Sequence, residues 1–483
     1  MISRKFLQSS VIYSFVGALP YASGLILIPL FIQYLTPAQF GANAIYLTLL
    51  YFIQILSTFG LDNYIGINYF DYKDNAERLK EFIGNVLLAL MILGGFIFIS
   101  VLCFGNFIFT LVYDKENFEF YPFGLITVLS AIFNGFFKSY SSLLVNQQKA
   151  TLFFWLNLSN FILTIAASVT LIYAYPYTLY GPTLGRLIPA VISASLSVLL
   201  MLYFHGFSYN FSFFRGMFNY CYPLLFYALL LWVVNYIDRN IIYKIMKDPT
   251  YVGIYDVIVK ITLVIDMLQI GLANTMHPKI FTIWKDKNLK ESTPEVNRYY
   301  NAFTGVTLLI IPLFDLVVPL VVPLFISKQI YLDSFEFIGI LSLGFATKGW
   351  FYMFLAPLFF FKKTKVLPKV FAFSALFEIV FGIILVHYFQ LWGAVIAGFL
   401  VKFLQGILLY FESRKVFSFR FNRWKIVFLP LIFIFMVVIC QLFMTRGSQV
   451  WFFLFQFLIT SGLVYITYRK ELMTLLRQMT GRN

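Results

Sequence analysis

Along most of the chain the hydrophobic positions are continuous rather than periodic. Runs of about 20 apolar residues, the length a helix needs to cross a bilayer, are separated by short polar or basic connections. The strands of a membrane barrel would alternate instead, so these runs predict helices. Fourteen spans follow: 10–35, 43–66, 82–105, 118–144, 151–175, 179–204, 219–242, 251–277, 301–326, 334–360, 366–388, 391–411, 425–444 and 450–468. The longest connection, Pro278 to Tyr300, contains KIFTIWKDKNLKEST and reads as an interfacial basic segment.

The spans group as six, six and two. The polar, aromatic link GFSYNFSFFRG follows His205, and the basic link ESRKVFSFRFNRWK follows Phe411. The pattern predicts an all-α integral membrane protein of about 14 transmembrane helices. Its parts are an N-terminal six-helix lobe (1–205), a C-terminal six-helix lobe (206–411), and two extra helices with a tail (412–483). Two six-helix lobes around a central cavity are a common secondary-transporter architecture. Internal sequence identity between the halves is weak, so the repeat is read from hydropathy alone.

Composition strengthens this reading. The chain is 60% hydrophobic and 12% charged over 483 residues, against roughly 45–50% and about 25% in soluble domains. The formal charge of +15 would suggest nucleic acid in a soluble protein. Here the basic residues flank apolar runs, which points to membrane topology and anionic lipid instead, with no nucleic acid. The N-terminus, the even-numbered connections and the tail carry 25 Lys/Arg, counting Lys369 and Lys425 at the edges of their spans. The odd-numbered connections carry five: Lys115, Lys244, Lys247, Lys328 and Arg446. This asymmetry places both termini in the cytoplasm. The first apolar run, Val11 to Leu35, is too long for a signal-peptide core. Cys103, Cys221 and Cys440 have unrelated spacings and imply neither a disulfide framework nor a metal site.

Charges within the spans carry the candidate chemistry, because each costs about 2.5–3.5 kcal/mol at mid-bilayer on insertion scales. The cations are Lys138, Arg186, Arg239, Lys260, Lys348 and Lys402; the acids are Asp238, Asp256, Asp266, Asp315 and Glu378, with Asp62 late in the second span. Residues equally far from a hairpin turn lie at equal depth. That rule pairs Glu378 with Lys402, Asp315 with Lys348, and Arg239 with Asp256, and Asp256 also stands i,i+4 to Lys260. These pairs are structural or contact substrate. Lys138 and Arg186 have no acid at matching depth in their half, so they form an anion site or snorkel to the interfaces. Gly185 would let a ligand approach the backbone beside Arg186. Asp266 has no partner by this rule and is either a proton or sodium relay or a neutral, hydrogen-bonded group. Bends are expected at Gly17, Pro20, Gly24 and Pro29 in span one and at Pro312, Pro319 and Pro323 in span nine. Most of the 60 Phe and 32 Tyr are expected to face lipid or the interfaces. No catalytic constellation and no glycine-rich phosphate loop occur, so neither an enzyme nor an ATP motor is expected.

Three stretches resemble the polysaccharide (O-antigen type) flippase family of the multidrug/oligosaccharidyl-lipid/polysaccharide exporter superfamily. They are YLTPAQFGANAIYLTLLYFIQILSTFGLDNYIGINYF from Tyr34, NYIDRNIIYKIMKDPTYVGIYDVIVKI from Asn235, and FFFKKTKVLPKV followed by LWGAVIAGFLVKF. The chain departs from the family pattern at His387–Leu391 and in the polar residues of span eleven, which bears on the glycan rather than the fold. The resemblance implies alternating-access translocation of an undecaprenyl-pyrophosphate-linked oligosaccharide across a bacterial inner membrane, for lipopolysaccharide or other surface polysaccharide. The implied partners are that lipid-linked oligosaccharide, membrane lipids and a glycan polymerase. On this reading Arg186, Lys138, Arg239 and Lys260 would contact the pyrophosphate. Proton or sodium coupling would use Asp266 or Asp238, and no other cofactor is expected. The alternatives are an ion-coupled drug/cation antiporter of the same superfamily and a membrane-embedded glycan polymerase.

Overall fold

The computed structural model describes residues 4–287, 289–417, 420–445 and 448–480. Arg446, one of the five basics counted in odd-numbered connections, and Arg482 of the tail lie outside these residues. Every regular element among the described residues is helical. In chain order these are α1 (Arg4–Tyr34), α2 (Pro37–Thr58), α3 (Leu61–Tyr72), α4 (Ala76–Val112), α5 (Leu125–Asn146), α6 (Ala150–Ala174), α7 (Tyr180–His205), α8 (Ser212–Met246), α9 (Pro249–Asp286), α10 (Leu289–Val321), α11 (Gln329–Leu332), α12 (Ile338–Phe360), α13 (Leu367–Val416), α14 (Leu429–Phe443) and α15 (Gln449–Thr480). Each of the fourteen expected spans falls on one or two of them.

Among the described residues, 11 helices are long and apolar enough to cross a membrane, with Ala22–Tyr34 a shorter apolar one. Spans eleven and twelve are counted together in that number, as Thr364–Val416. Gln390 (φ 53°, ψ −129°) breaks α13 in the middle. A Cβ on Gly393 would lie 2.0 Å from the Leu385 carbonyl oxygen. In an uninterrupted helix, residues eight apart are about 12 Å apart along the axis, so the chain reverses here and α13 is a hairpin.

Local chemistry sets the ends. Thr36 and Gln39 form a reciprocal capping box at α2, with Pro37 in its first turn. Asn75 caps α4 by accepting from the Arg78 amide at 3.1 Å. Phe59 and Gly60, both at positive φ, separate α2 from α3. The expected connection Pro278–Tyr300 is mostly helical instead. α9 continues to Asp286 and α10 starts at Leu289, because polar residues leaving the apolar zone do not interrupt backbone hydrogen bonding. At the turn, Lys287 donates to Glu295 at 2.5 Å, and this bond holds the ammonium above its ordinary pKa.

The chain forms two compact units, Met1–Gly253 and Ile254–Asn483. In the first, α7 packs against α5 and α6, α1 against α6, and α2 against α5 and α8. Backbone meets backbone where α2 passes the start of α9. A Cβ on Gly41 would lie 1.7 Å from the Pro249 carbonyl oxygen, and one on Gly253 would lie 2.7 Å from the Pro37 carbonyl oxygen. In the second unit, α12 packs against α13, α10 and α14, and α10 against α15. Lys425 joins Glu471 at 2.6 Å, and Asn301 donates to the same carboxylate at 3.1 Å, tying α15 to α10. Outer faces leave Phe96, Leu199 and Leu442 exposed, as a lipid-facing surface would. Six tyrosines are exceptions to the expected lipid-facing or interfacial placement: Tyr46, Tyr140, Tyr243, Tyr300, Tyr331 and Tyr468 are fully buried, while others such as Tyr203 and Tyr388 are exposed.

Candidate functional site

Within the first unit, the candidate site lies where α7, packed against α6, reaches across to α2. Arg186 is partly buried on α7 and donates from Nη2 to the Oδ1 of Asn43 on α2, at 2.9 Å. Asn43 is 1% exposed, and its Nδ2 has no hydrogen-bond partner. A guanidinium can only donate, so it turns the amide oxygen toward itself and the amide NH2 away. Leaving a buried donor unpaired costs about 1–3 kcal/mol. Gly185 serves a different purpose from the one expected. A Cβ there would sit 2.3 Å from Ser168 Oγ and 2.7 Å from Ser168 Cα, so this glycine admits α6 rather than a ligand.

Lys138 corrects the expectation that it lacks an acid at matching depth. Its Nζ lies 3.0 Å from Asp62 Oδ2, with 51% of the lysine side chain exposed and 12% of the aspartate. Sequence distance concealed the pair. The two residues sit on α5 and α3, separated by the whole of α4. Counted from the matching helix ends they agree: Asp62 is ten residues before Tyr72 and Lys138 eight before Asn146. Arg239 is 5% exposed and donates from Nη1 to both oxygens of neighbouring Asp238, at 2.8 and 3.0 Å, and to the Asn235 carbonyl. Asp238 therefore already holds a cation.

In the second unit, Asp256 and Lys260 pair across one helical turn at 2.5 Å, as their spacing predicts. Asp315 and Lys348 do not pair. Lys348 reaches Asp266 at 2.7 Å, and the Tyr352 hydroxyl donates to the same carboxylate at 3.1 Å, so Asp266 is not solitary. Asp315 is fully buried and accepts from Ser342 Oγ at 2.8 Å, while its Oδ1 has no hydrogen-bond partner. Equal counts from Tyr331 assumed two regular arms. The turn contains 3-10 segments at Val322–Leu324 and Asp333–Phe337 around the short α11. Tighter 3-10 geometry advances the chain further per residue, and the partner of Asp315 falls at Ser342 rather than Lys348. Glu378 is 3% exposed on the first arm of α13; Lys402, on the second, donates to the Gly398 carbonyl at 3.4 Å and stands 5.4 Å from the Phe345 ring centroid.

The model of the polysaccharide biosynthesis protein family matches residues 6–284. This chain belongs to that family. Solved structures share the fold. "Lipid II flippase MurJ, inward closed conformation" is 17% identical, with a TM-score of 0.73 over 95% of this chain and 99% of that one. An inward-facing multidrug resistance MATE family transporter of the MOP superfamily is 16% identical, with a TM-score of 0.70 over 83% of this chain and 94% of the other. A MOP superfamily transporter from Pyrococcus furiosus, whose binding pocket is described as having reverse polarity, is 14% identical, with a TM-score of 0.61 over 85% and 95%. No curated protein sequence matches the chain. This member of the polysaccharide biosynthesis family thus has the two-lobed helical fold of flippases and transporters.

Two features escaped the sequence reading. Asn43 is one; its only signal was an amide inside an apolar run. The other is a polar clasp near the non-helical stretch after α4. Tyr46 donates to the Glu119 carbonyl at 2.7 Å, Tyr243 to Asp114 Oδ2 at 2.7 Å, and Tyr113 to Asn240. Together with Trp232, which donates to the Thr48 carbonyl at 2.9 Å, these bonds bind α8 to α2 and to residues 113–119.

The pairing of Asp266 gives a sharp expectation. Asp266→Asn and Lys348→Met should each lower the thermal midpoint in detergent, and the double variant should be less damaged than the two losses added. The effect falls below the about 3–5 kcal/mol of a fully buried pair, since 21% of Lys348 and 15% of Asp266 remain exposed. Combining Lys348→Met with Asp315→Asn should give simple addition. Addition in the first cycle and coupling in the second would restore the Asp315–Lys348 pairing.

Proposed function

We propose that the protein flips an undecaprenyl-pyrophosphate-linked oligosaccharide from the inner to the outer leaflet of a bacterial inner membrane by alternating access. The product would feed a surface polysaccharide of O-antigen type. The observation that carries this reading is a partly buried arginine, in a helix long and apolar enough to cross a membrane, that donates to a neutral amide in a member of a polysaccharide biosynthesis family. A pyrophosphate leaving headgroup water needs replacement donors, and a guanidinium offers two parallel ones. Half-exposed Lys138, nearer the cytoplasmic end, would supply a second cation by leaving Asp62, with Arg239 and Lys260 contributing on the outer side. Proton or sodium coupling would run through Asp266 or Asp238, each displacing its present cation partner. The two six-span lobes, 1–205 and 206–411, would be the moving bodies, and a glycan polymerase the partner that receives the product.

The MATE-type neighbours favour a second reading, a drug/cation antiporter. Such a protein should carry an acid in span one, and α1 has no Asp or Glu. A deletion strain separates the readings: lipid-linked oligosaccharide should accumulate unflipped on the cytoplasmic leaflet. Flipped but unpolymerised intermediates would point to a polymerase, and unchanged glycan intermediates would refute the flippase.

The basic-residue asymmetry also predicts topology. Cysteines placed at Lys285 and Lys363 should be shielded from impermeant reagent in intact cells, and those at Lys247 and Lys328 should react. Labelling at Lys285 from outside would invert the assignment.

A further inference from the structure

The contact between Asn43 and Arg186 has an uncommon polarity. An aspartate at position 43 would meet the guanidinium with a full negative charge. Asparagine offers the same oxygen geometry, at 2.9 Å, without that charge. The arrangement leaves Asn43 Nδ2 buried and without a hydrogen-bond partner, so it is not the lowest-cost packing solution for this position. A leucine has the same branched arrangement of heavy atoms, with bulkier methyl groups, and would remove the unpaired donor altogether. The structure retains here an amide whose oxygen serves Arg186 and whose buried NH2 is left unpaired.

Asn43 is also anchored firmly enough to set a direction. It lies two residues after Gly41, whose backbone rests against Pro249 and Gly253. The preceding turn is fixed by the Thr36–Gln39 capping box and by Gln39 Nε2, which donates to the Tyr177 carbonyl at 2.6 Å. On the other side, α7 is held close to α6 by Gly185 against Ser168. Arg186 thus extends from one fixed helix to an acceptor on another.

From this geometry we propose that Asn43 is a positioning residue for an anion site: it aims the Arg186 guanidinium at a ligand's diphosphate and adds no negative charge that would compete with it. The proposal rests on the reading of Arg186 as the diphosphate contact. The ligand class is a polyprenyl diphosphate ester, in which two phosphates present several oxygens to the planar guanidinium fork.

The test uses the full-length purified chain in detergent, with undecaprenyl pyrophosphate as probe and undecaprenol as the uncharged comparison. Dissociation constants and thermal midpoints are measured for wild type, Asn43→Leu, Asn43→Asp and Arg186→Ala. Asn43→Leu should weaken diphosphate binding by about three- to tenfold, up to one tenfold step in affinity, whether or not the midpoint moves. Asn43→Asp, which closes an ion pair on Arg186, should weaken it by more than about tenfold. Undecaprenol binding should not change in either. A purely structural Asn43 would give a lowered midpoint with unchanged diphosphate affinity. If Arg186→Ala alone abolishes diphosphate binding while both Asn43 variants bind like wild type, the positioning role is wrong and the site stands. If Arg186→Ala binds like wild type, the underlying assignment of the site is wrong.

Discussion

Replacing Arg186 with alanine should cut export of the lipid-linked oligosaccharide about ten- to a hundredfold at near-normal abundance. A hydrogen bond to a charged group contributes about 1.5–3 kcal/mol, and each 1.36 kcal/mol withheld from a transport barrier is about a factor of ten in rate. Insertion should not suffer, because an intramembrane charge that costs about 2.5–3.5 kcal/mol is removed. The truncation does leave the Asn43 amide with neither end paired, a loss that partly offsets this gain. Arg186→Lys should recover only part of the activity: it retains the charge but loses the planar fork. Glycan export assayed together with membrane abundance checks both variants. Normal export by Arg186→Ala at normal abundance would mean that the side chain serves the interface rather than a ligand.

The second large effect is expected at Gly41. An alanine Cβ would stand 1.7 Å from the Pro249 carbonyl oxygen and 2.9 Å from the Gly253 amide nitrogen. Both are backbone atoms, so no side chain can rotate away; α2 must shift by more than an ångström or the α8–α9 turn must open. Overpacking of this kind typically costs about 1–3 kcal/mol, and here it also disturbs the turn that leads to Asn43. Gly41→Ala should lower the detergent thermal midpoint by several degrees and depress transport, and Gly41→Val should do so more severely. Gly95, on α4, has nothing within 4 Å of its would-be Cβ. Gly95→Ala should be neutral or slightly stabilising, since alanine suits a helix interior by about 0.5–1 kcal/mol. Equal behaviour of the Gly41 and Gly95 variants would show that the close approach is relaxed without consequence.

The two predictions differ in how far the sequence alone supports them. Continuous apolar runs set the helices, because a bilayer leaves a polypeptide few alternatives, and the basic connections marked where runs end. The i,i+4 spacing of Asp256 and Lys260 named its own pair because both residues share one regular helix. Partners on different helices were legible only where the intervening chain is regular. The 3-10 segments around Tyr331 defeated the pairing of Asp315 with Lys348. Comparing only consecutive spans hid the pair between Lys138 and Asp62. Asn43 and Gly41 could not be singled out, since an amide or a glycine in a spanning helix has many uses. Their meaning depends on which atoms of α7 and α9 lie opposite, a property of helix rotation that hydropathy does not encode.

The most direct test of the account is leaflet exchange in vesicles. The purified chain would be reconstituted with an undecaprenyl-pyrophosphate-linked oligosaccharide carrying a fluorescent sugar, and the fraction accessible to an impermeant glycosidase followed over time. The account predicts that the protected pool becomes accessible far faster than in protein-free vesicles, that Arg186→Ala suppresses this exchange, and that an unlabelled polyprenyl diphosphate competes with it. No exchange above the protein-free rate, in vesicles where the same preparation moves an organic cation against a proton or sodium gradient, would contradict it.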